Sequence, residues 1–472
     1  MTPYRTLVFA RIVQESALGI GGNRPHDLVD IPLARDGQGR PVIRGSTIAG
    51  CFIATARALA GTLPRAITFG GGKARQAEQD MLLPSAWRFA HAHLLGDAPQ
   101  TGFFQHVSID PRTQAAKDDH LFNLEAMPPG TCWNFELEIA PAAGADFADL
   151  EALAAATLAR WRQRGGARLG RGSRHGYGWC HLEDITIVRL EARHARLWPD
   201  AFAPARSGSE WIEHFRANDA EVLELQDWLD EHAERLPKPN RHVVELSGTL
   251  QVGERQDGFG QGYGLDTLSI GGHARLQLQA QDFFDRVIQP SGFRLRAKDF
   301  DPDFTITAQP GPDGRLRPYV PGASIRGVWR AQLARHGRAQ RADLTLLDTL
   351  FGNTEQAGCL SVADATLADD DWKLLWQQHV AIDELSGGAY GSSKFDRLCL
   401  AKARFCWRAT IEADSGQTAQ ALAEPLIAML KALGDGQLPL GGGIWRGHGH
   451  IRWTLDAATV RPLSAPIQRS QP

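Results

Sequence analysis

The chain has no apolar run long enough to cross a bilayer, and its opening stretch MTPYRTLVFARIVQES has neither the apolar core nor the small-residue cleavage site of a secretory signal. A soluble cytoplasmic protein is therefore expected. Its six cysteines (Cys51, Cys132, Cys180, Cys359, Cys399 and Cys406) include no C-x-x-C pair, which argues against a disulfide framework and against a cysteine zinc site. There is no excess of basic charge either. A formal net charge of -3 excludes a uniformly basic nucleic-acid binder, although a local basic groove stays open. What the chain does have is length. Its 472 residues exceed one ordinary hydrophobic core and point to two or more domains.

An internal repeat supplies them. GRPVIRGSTIAGCFIATARAL, from Gly39, returns as LRPYVPGASIRGVWRAQLARH, from Leu316, so that Gly45 matches Gly322 and Gly50 matches Gly327. HVSIDPRTQAAKDDHLF, from His106, returns as HVAIDELSGGAYGSSKF, from His379, with both segments 17 residues long. LGRGSRHGYG, from Leu169, and LGGGIWRGHG, from Leu440, carry glycines at one spacing. The intervals agree: Gly45 to Asp110 is 65 residues and Gly322 to Asp383 is 61, while Asp110 to Gly170 is 60 and Asp383 to Gly441 is 58. Three landmarks in one order define a duplicated domain. The expected boundaries are 1–190 for the first domain, 191–240 for a helical linker (SEWIEHFRANDAEVLELQDWLDEHAERL, ended by PKPN) and 241–472 for the second domain.

Alternation and β-branched content predict strands at TLVFARIV, NFELEI, HLEDITIV, HARLQLQAQ, ARFCWRATIEA and HIRWTL. Helices follow each RGST/PGAS turn, where Ile48, Phe52 and Ala56, or Ile325, Trp329 and Leu333, fall on one face. Strands and helices mix within each half. The element order predicts an α+β fold of two β-α-β-β-α-β, RRM/ferredoxin-like sheets.

Together the three landmarks resemble the RAMP superfamily, specifically the repeated backbone subunit of type III CRISPR effectors of the Csm/Cmr kind. The residues that carry the resemblance are Asp30, Gly39-Arg40-Pro41-Val42-Ile43 and Gly45-Ser46-Thr47-Ile48 in the first half, and RPYVPGASIRG with LFGNTEQAGCLSVADA in the second. The first half departs at Arg44, where the family usually has proline. Two such domains on one chain are similar to the fused subunits of type III-D systems. The resemblance implies a thumb β-hairpin in each domain, a C-terminal glycine-rich loop, and a guide-binding protein that cleaves paired RNA. Its implied partners are a guide crRNA, complementary target RNA, further RAMP proteins and the large signalling subunit, with no membrane.

The residues themselves allow two readings at each motif. Helix N-termini opened by Gly45-Ser46-Thr47 and Gly322-Ala323-Ser324 suit a phosphate, with Arg44 and Arg326 beside them; equally, Ser46, Thr47 and Ser324 serve as plain N-caps. Between Arg160 and Arg174 lie Arg160, Arg162, Arg164, Arg168, Arg171 and Arg174 with no acidic residue. That run, continued by His175 in the glycine loop and matched by Arg446 in the second loop, is the expected RNA-binding face, since guanidinium groups bind phosphate bidentately and stack on bases. The alternative is a tight turn with a solvated face. As a dinucleotide fingerprint the loop matches poorly, because it ends a domain. Within the HVSID and HVAID segments, the resemblance implies thumbs tipped by Ala115, Ala116 and Leu121, or by Leu385, Ala389 and Tyr390. Without it, Asp110 and Asp383 read as turn residues.

For cleavage the resemblance implies an aspartate ahead of the P-G-S-S turn, working with Mg²⁺ or Mn²⁺ while the ribose 2′-OH attacks the next phosphate. Asp30 occupies that place, as catalytic residue and metal ligand; His26, Asp27 and Asp36 are weaker candidates, Asp36 as part of a turn. The second half stays open. Counting back from Gly322 by the 15 residues that separate Gly45 from Asp30 reaches Thr307, whereas matching Leu7 to Leu276 reaches Asp299. Asp301 and Asp303 lie between the two registers, and Asp266 is a third possibility. A rival from another class is a pure RNA-binding scaffold; a small-molecule phosphate-binding protein is a more distant one.

Overall fold

The computed structural model describes residues 4–22, 29–67, 85–99, 101–109, 116–197, 208–253, 267–271, 280–289, 295–311, 315–339, 345–391 and 393–463. In the first half the elements are β1 (Arg5–Gln14), α1 (Gly45–Ala60), β2 (Trp87–Phe89), β3 (Gly102–Ile109), β4 (Ala116–Ala126), β5 (Cys132–Ile139), α2 (Phe147–Arg162) and β6 (Trp179–Leu190). β6, β1, β5 and β2 lie side by side in that order, all antiparallel, which is the strand order of a ferredoxin-like sheet. β3 and β4 leave the sheet as a separate hairpin.

Both faces of this sheet are covered. Val8 and Ile12 of β1 pack with Phe52 of α1 and Leu158 and Trp161 of α2 in one core. Leu7 points the other way, as strand alternation requires, and meets Val188, Trp211 and Phe215. Trp211 and Phe215 belong to α3 (Gly208–Ala217), inside the segment expected to be a linker. The strand β7 (Glu221–Glu224) then pairs with β6 at the sheet edge before α4 (Leu225–Glu231). The segment is thus a cover and an edge strand of the first domain. Burying those two aromatic rings contributes roughly 1.5–3 kcal/mol each.

The second half repeats the plan with β8 (His242–Val252), α5 (Gly322–Ala339), α6 (Thr345–Phe351), β9 (Leu360–Val362), β10 (Lys373–His379), β11 (Phe395–Ala413), α7 (Gly416–Leu433) and β12 (Ala457–Pro462). β12 pairs with β8, β8 with β11 and β11 with β9, the same order. The counterpart of the opening strand β1 is therefore β8. Leu276, matched to Leu7 in the sequence, lies outside the described residues, as does most of HARLQLQAQ, and Ala280–Arg286 is a 3-10 helix.

Candidate nucleic-acid interface

The glycines of the two helix-opening turns are fixed by close approach. A Cβ on Gly45 would meet the carbonyl oxygens of Phe89 and Ala90, and one on Gly322 those of Val362 and Ala363. Each glycine N–H already has a side-chain acceptor: His91 Nδ1 at 2.9 Å for Gly45, and Asp364 Oδ1 at 2.8 Å for Gly322. The α1 cap is Arg44, whose carbonyl accepts from Thr47 and Ile48. Ser46 and Thr47 are thus not the capping residues. Ser324 donates its N–H to the Pro321 carbonyl. Arg326 is buried and donates to the Phe351 carbonyl at 2.6 Å, so it braces α6 instead of lining an open phosphate site.

The arginine run is divided by the fold. Arg160 is buried in α2, while Arg162, Arg164, Arg171, Arg174 and His175 are exposed. Arg168 crosses to the second half, donating to Ser361 Oγ at 2.7 Å and Thr410 Oγ1 at 2.6 Å, with Glu412 at 3.5 Å and the Trp179 ring beneath it. This corrects its expected place on an open face. The same seam contains Arg408 on Glu15 at 2.8 Å and the Val362 N–H on the Arg174 carbonyl at 3.2 Å. Gly176 lies over the Asp364 carboxylate, where a Cβ has no room. Burial pushes the Asp364 carboxyl up to about 7, opposed by the Gly322 hydrogen bond.

The glycine loops are built alike. Gly170 and Gly441 have φ of 73° and 89°, each against a backbone carbonyl, of Gly19 and Ser269. In the first loop Arg171 lies over the Phe122 ring at 5.8 Å, and in the second the exposed Arg446 lies over Phe395 at 5.6 Å. Phe122 stacks on His106 (5.0 Å, 15°) and Phe395 on His379 (4.9 Å, 18°). Tyr177 Oη sits 2.9 Å from His106 Nε2, and the ring of His448 lies at the same loop position 6.2 Å from His379. The first cluster sits midway along its hairpin and the second at the turn-side end of its strand pair, where His379 faces Phe395, and an open cleft of about 2320 Å³ is lined by Phe104, His106, Ser324, Arg397 and Trp445 among others. The second hairpin ends in exposed Ile382, Leu385 and Tyr390, with Leu385 93% accessible. Asp383 accepts the N–H groups of Leu385 and Ser386, a turn residue. Asp110, Ala115 and the side chains of Ala116 and Leu121 lie outside the described residues.

Asp30 is exposed, and its Oδ2 accepts the Asn123 N–H of β4 at 2.8 Å. His26, Asp27 and Asp266 lie outside the described residues. Asp36 closes a turn through the N–H groups of Gln38 and Arg40. In the second half Asp299 is exposed and paired with Arg296 at 2.6 Å, and Asp301 is exposed. The bond that corresponds to Asp30–Asn123 is made by Asp303, whose Oδ2 accepts the Asp396 N–H of β11 at 2.9 Å. Parallel bridges follow at the next residues, Ile31 with Leu124 and Phe304 with Arg397. Counting from the hairpin instead of from the glycine turn would have found it: Asn123 and Asp396 each come directly after the phenylalanine that ends the matched 17-residue segment.

A family profile described as the RAMP superfamily matches residues 13–181 and 309–452, one match in each half. The chain belongs to the RAMP superfamily and carries two of its domains. Membership supports a CRISPR-associated RNA-binding role, of the kind such proteins exercise in multi-subunit complexes. No curated protein is similar enough to the chain to count as a match. Among the described residues no helix is long and apolar enough to span a membrane.

Proposed function

We propose that the chain is a backbone subunit of a type III CRISPR effector, Csm/Cmr-like and of the fused, type III-D kind, that grips a guide crRNA and cuts the RNA paired to it. The observation that carries this reading is the repeated triad of an aspartate clasped to a hairpin strand, an aromatic stack on that hairpin and an arginine-bearing glycine loop, from which His106 and Tyr177 of one copy and Arg397 and Trp445 of the other line one cleft. Arginine and aromatic side chains suit a single strand with splayed bases, and an apolar hairpin tip suits prying a paired strand apart. Guide RNA, complementary RNA, further RAMP proteins and the large signalling subunit are the partners this reading requires.

Cleavage on this reading is transesterification. The ribose 2′-oxygen forms a bond to the adjacent phosphorus, the bond from phosphorus to the 5′-oxygen breaks, the 2′-proton leaves to a base and the 5′-oxygen takes up a proton. Asp30 orients the 2′-OH or accepts its proton at the carboxylate oxygen that does not bind the Asn123 N–H. The residues also fit Mg²⁺ or Mn²⁺: the exposed Asp30 carboxylate would hold the ion, and Asn123, whose N–H binds Asp30, has a buried Oδ1 with no hydrogen-bond partner among the described residues. Such an ion, when bound, stabilises the charge that develops on the phosphate.

The hydrogen bond of Asp30 Oδ2 to Asn123 favours one other reading, a non-catalytic scaffold in which Asp30 only ties its loop to the hairpin. The assembled complex, incubated with labelled complementary RNA with and without Mg²⁺, separates the two. Metal-dependent products that Asp30→Ala removes, with target binding retained, support the nuclease. Products unchanged in band and rate by Asp30→Ala leave the scaffold reading standing.

A further inference from the structure

The two carboxylate clasps are too similar in construction to serve only one half. Asp30 and Asn123 are 93 residues apart, and so are Asp303 and Asp396. In each the carboxylate Oδ2 takes the N–H of the residue that follows a hairpin phenylalanine. In each the next residue returns a backbone bond, Ile31 N–H to the Asn123 carbonyl at 3.1 Å and Phe304 N–H to the Asp396 carbonyl at 3.0 Å. The strand is bound once more two residues on, Glu125 N–H to the Ile31 carbonyl and Leu398 N–H to the Phe304 carbonyl. Even the side-chain oxygen left buried without a partner among the described residues recurs, Asn123 Oδ1 in one half and Asp396 Oδ1 in the other.

Resting on the cleavage reading above, we propose that Asp303 is the reacting carboxylate of a second cleavage site, and that the Phe395–His379 stack is its positioning device, as Phe122–His106 is for Asp30. The stack is suited to that task because Phe395 is covalently next to Asp396, whose N–H holds the carboxylate. His379 braces the ring face at 4.9 Å and is itself backed by His448 of the glycine loop. Removing His379 takes the stacked partner off the Phe395 ring, which keeps its contacts with Phe304, Arg397 and Arg446, and so loosens the N–H that fixes Asp303 while every arginine of the site stays in the chain. A displacement of about 1 Å at a reacting group lowers a rate by as much as a hundredfold.

The test uses the full chain assembled with its guide and an end-labelled complementary RNA, with target affinity measured separately by gel shift. Wild type is expected to give two product sets. Asp30→Asn removes one, Asp303→Asn the other, and Asp299→Asn neither. His379→Ala is expected to slow the second set tenfold or more at unchanged affinity, and His379→Phe, which keeps a stacked ring, to restore it. A second set that survives Asp303→Asn, or the loss of every product with Asp30→Asn alone, overturns the second site. Lowered affinity instead of rate with His379→Ala, or no rescue by His379→Phe, overturns the positioning role. Absence of any cleavage by wild type overturns the nuclease reading and this proposal with it, whereas cleavage indifferent to Asp303 overturns only the latter.

Discussion

Arg168 of the first domain donates a 2.7 Å hydrogen bond to Ser361 of the second, so a residue from the most basic run of the chain joins the two halves. The guanidinium also satisfies Thr410 and faces Glu412, and its side chain is only 18% exposed. Arg168→Ala is predicted to leave those partners unpaired inside the seam and to lower stability by about 1–3 kcal/mol. Urea unfolding should show the loss as a lower midpoint, and limited proteolysis as faster cutting between the halves.

RNA affinity should respond to different arginines. Arg171 and Arg174 are exposed on the glycine loop, and removing one cation that neutralises a phosphate flattens the slope of log K against log salt by roughly 0.7 to 0.9. Arg171→Ala with Arg174→Ala is predicted to weaken binding across RNA sequences and to flatten that slope, while Arg168→Ala leaves the slope as it is. Salt titrations of the three variants check this.

Gly322 and Gly327 share one helix but not one reason for being glycine. A Cβ on Gly322 would press into the Val362 carbonyl and lie 2.9 Å from that of Ala363, whereas one on Gly327 meets nothing within 4 Å. Gly322→Ala is predicted to destabilise by about 1–3 kcal/mol through overpacking. Gly327→Ala, in an open helical position, is predicted to stabilise by roughly 0.4–1 kcal/mol. Denaturant midpoints of the two variants should move in opposite directions.

Asp364 gives the seam a pH dependence. Its carboxyl rises from 3.8 to about 7 on burial, so the folded state holds the proton more tightly than the unfolded state does. The stability linked to that proton is fully present below the unfolded value and is lost as pH rises through about 7. Asp364→Asn keeps an oxygen for the Gly322 N–H and has no proton to lose. The stability difference between variant and wild type is therefore predicted to shift toward the variant between about pH 4 and 7 and to level off above. Unfolding midpoints across that range measure it.

Part of the candidate site could be read from residue order. The turn glycines, the His–Phe segments and the glycine loops were visible because each needs a particular residue at a fixed offset. The carboxylate of the second half was not. Asp303 lies 19 residues before Gly322, against 15 for Asp30 and Gly45, because residues 308–310 pair with 316–318 where the first half has the single bridge of Arg35 with Pro41. Counting along the chain fails across such an insertion, whereas a hydrogen bond to the hairpin strand is unaffected by it.

By itself the sequence determined that this is a duplicated α+β protein, since helix and strand periodicities and close-packed glycines are local requirements that recur wherever the same turn is made. Tertiary structure alone decided which arginines face solvent, that α3 and β7 complete the first sheet, and which aspartate of several in the second half reaches the hairpin. Those outcomes depend on pairings between residues far apart in the chain: Glu221 with Arg189 across 32 positions, Asp303 with Asp396 across 93 and Arg168 with Ser361 across 193. An arginine beside phosphate and an arginine beside a buried serine have the same neighbours in the chain, and only the packing of one half on the other distinguishes them.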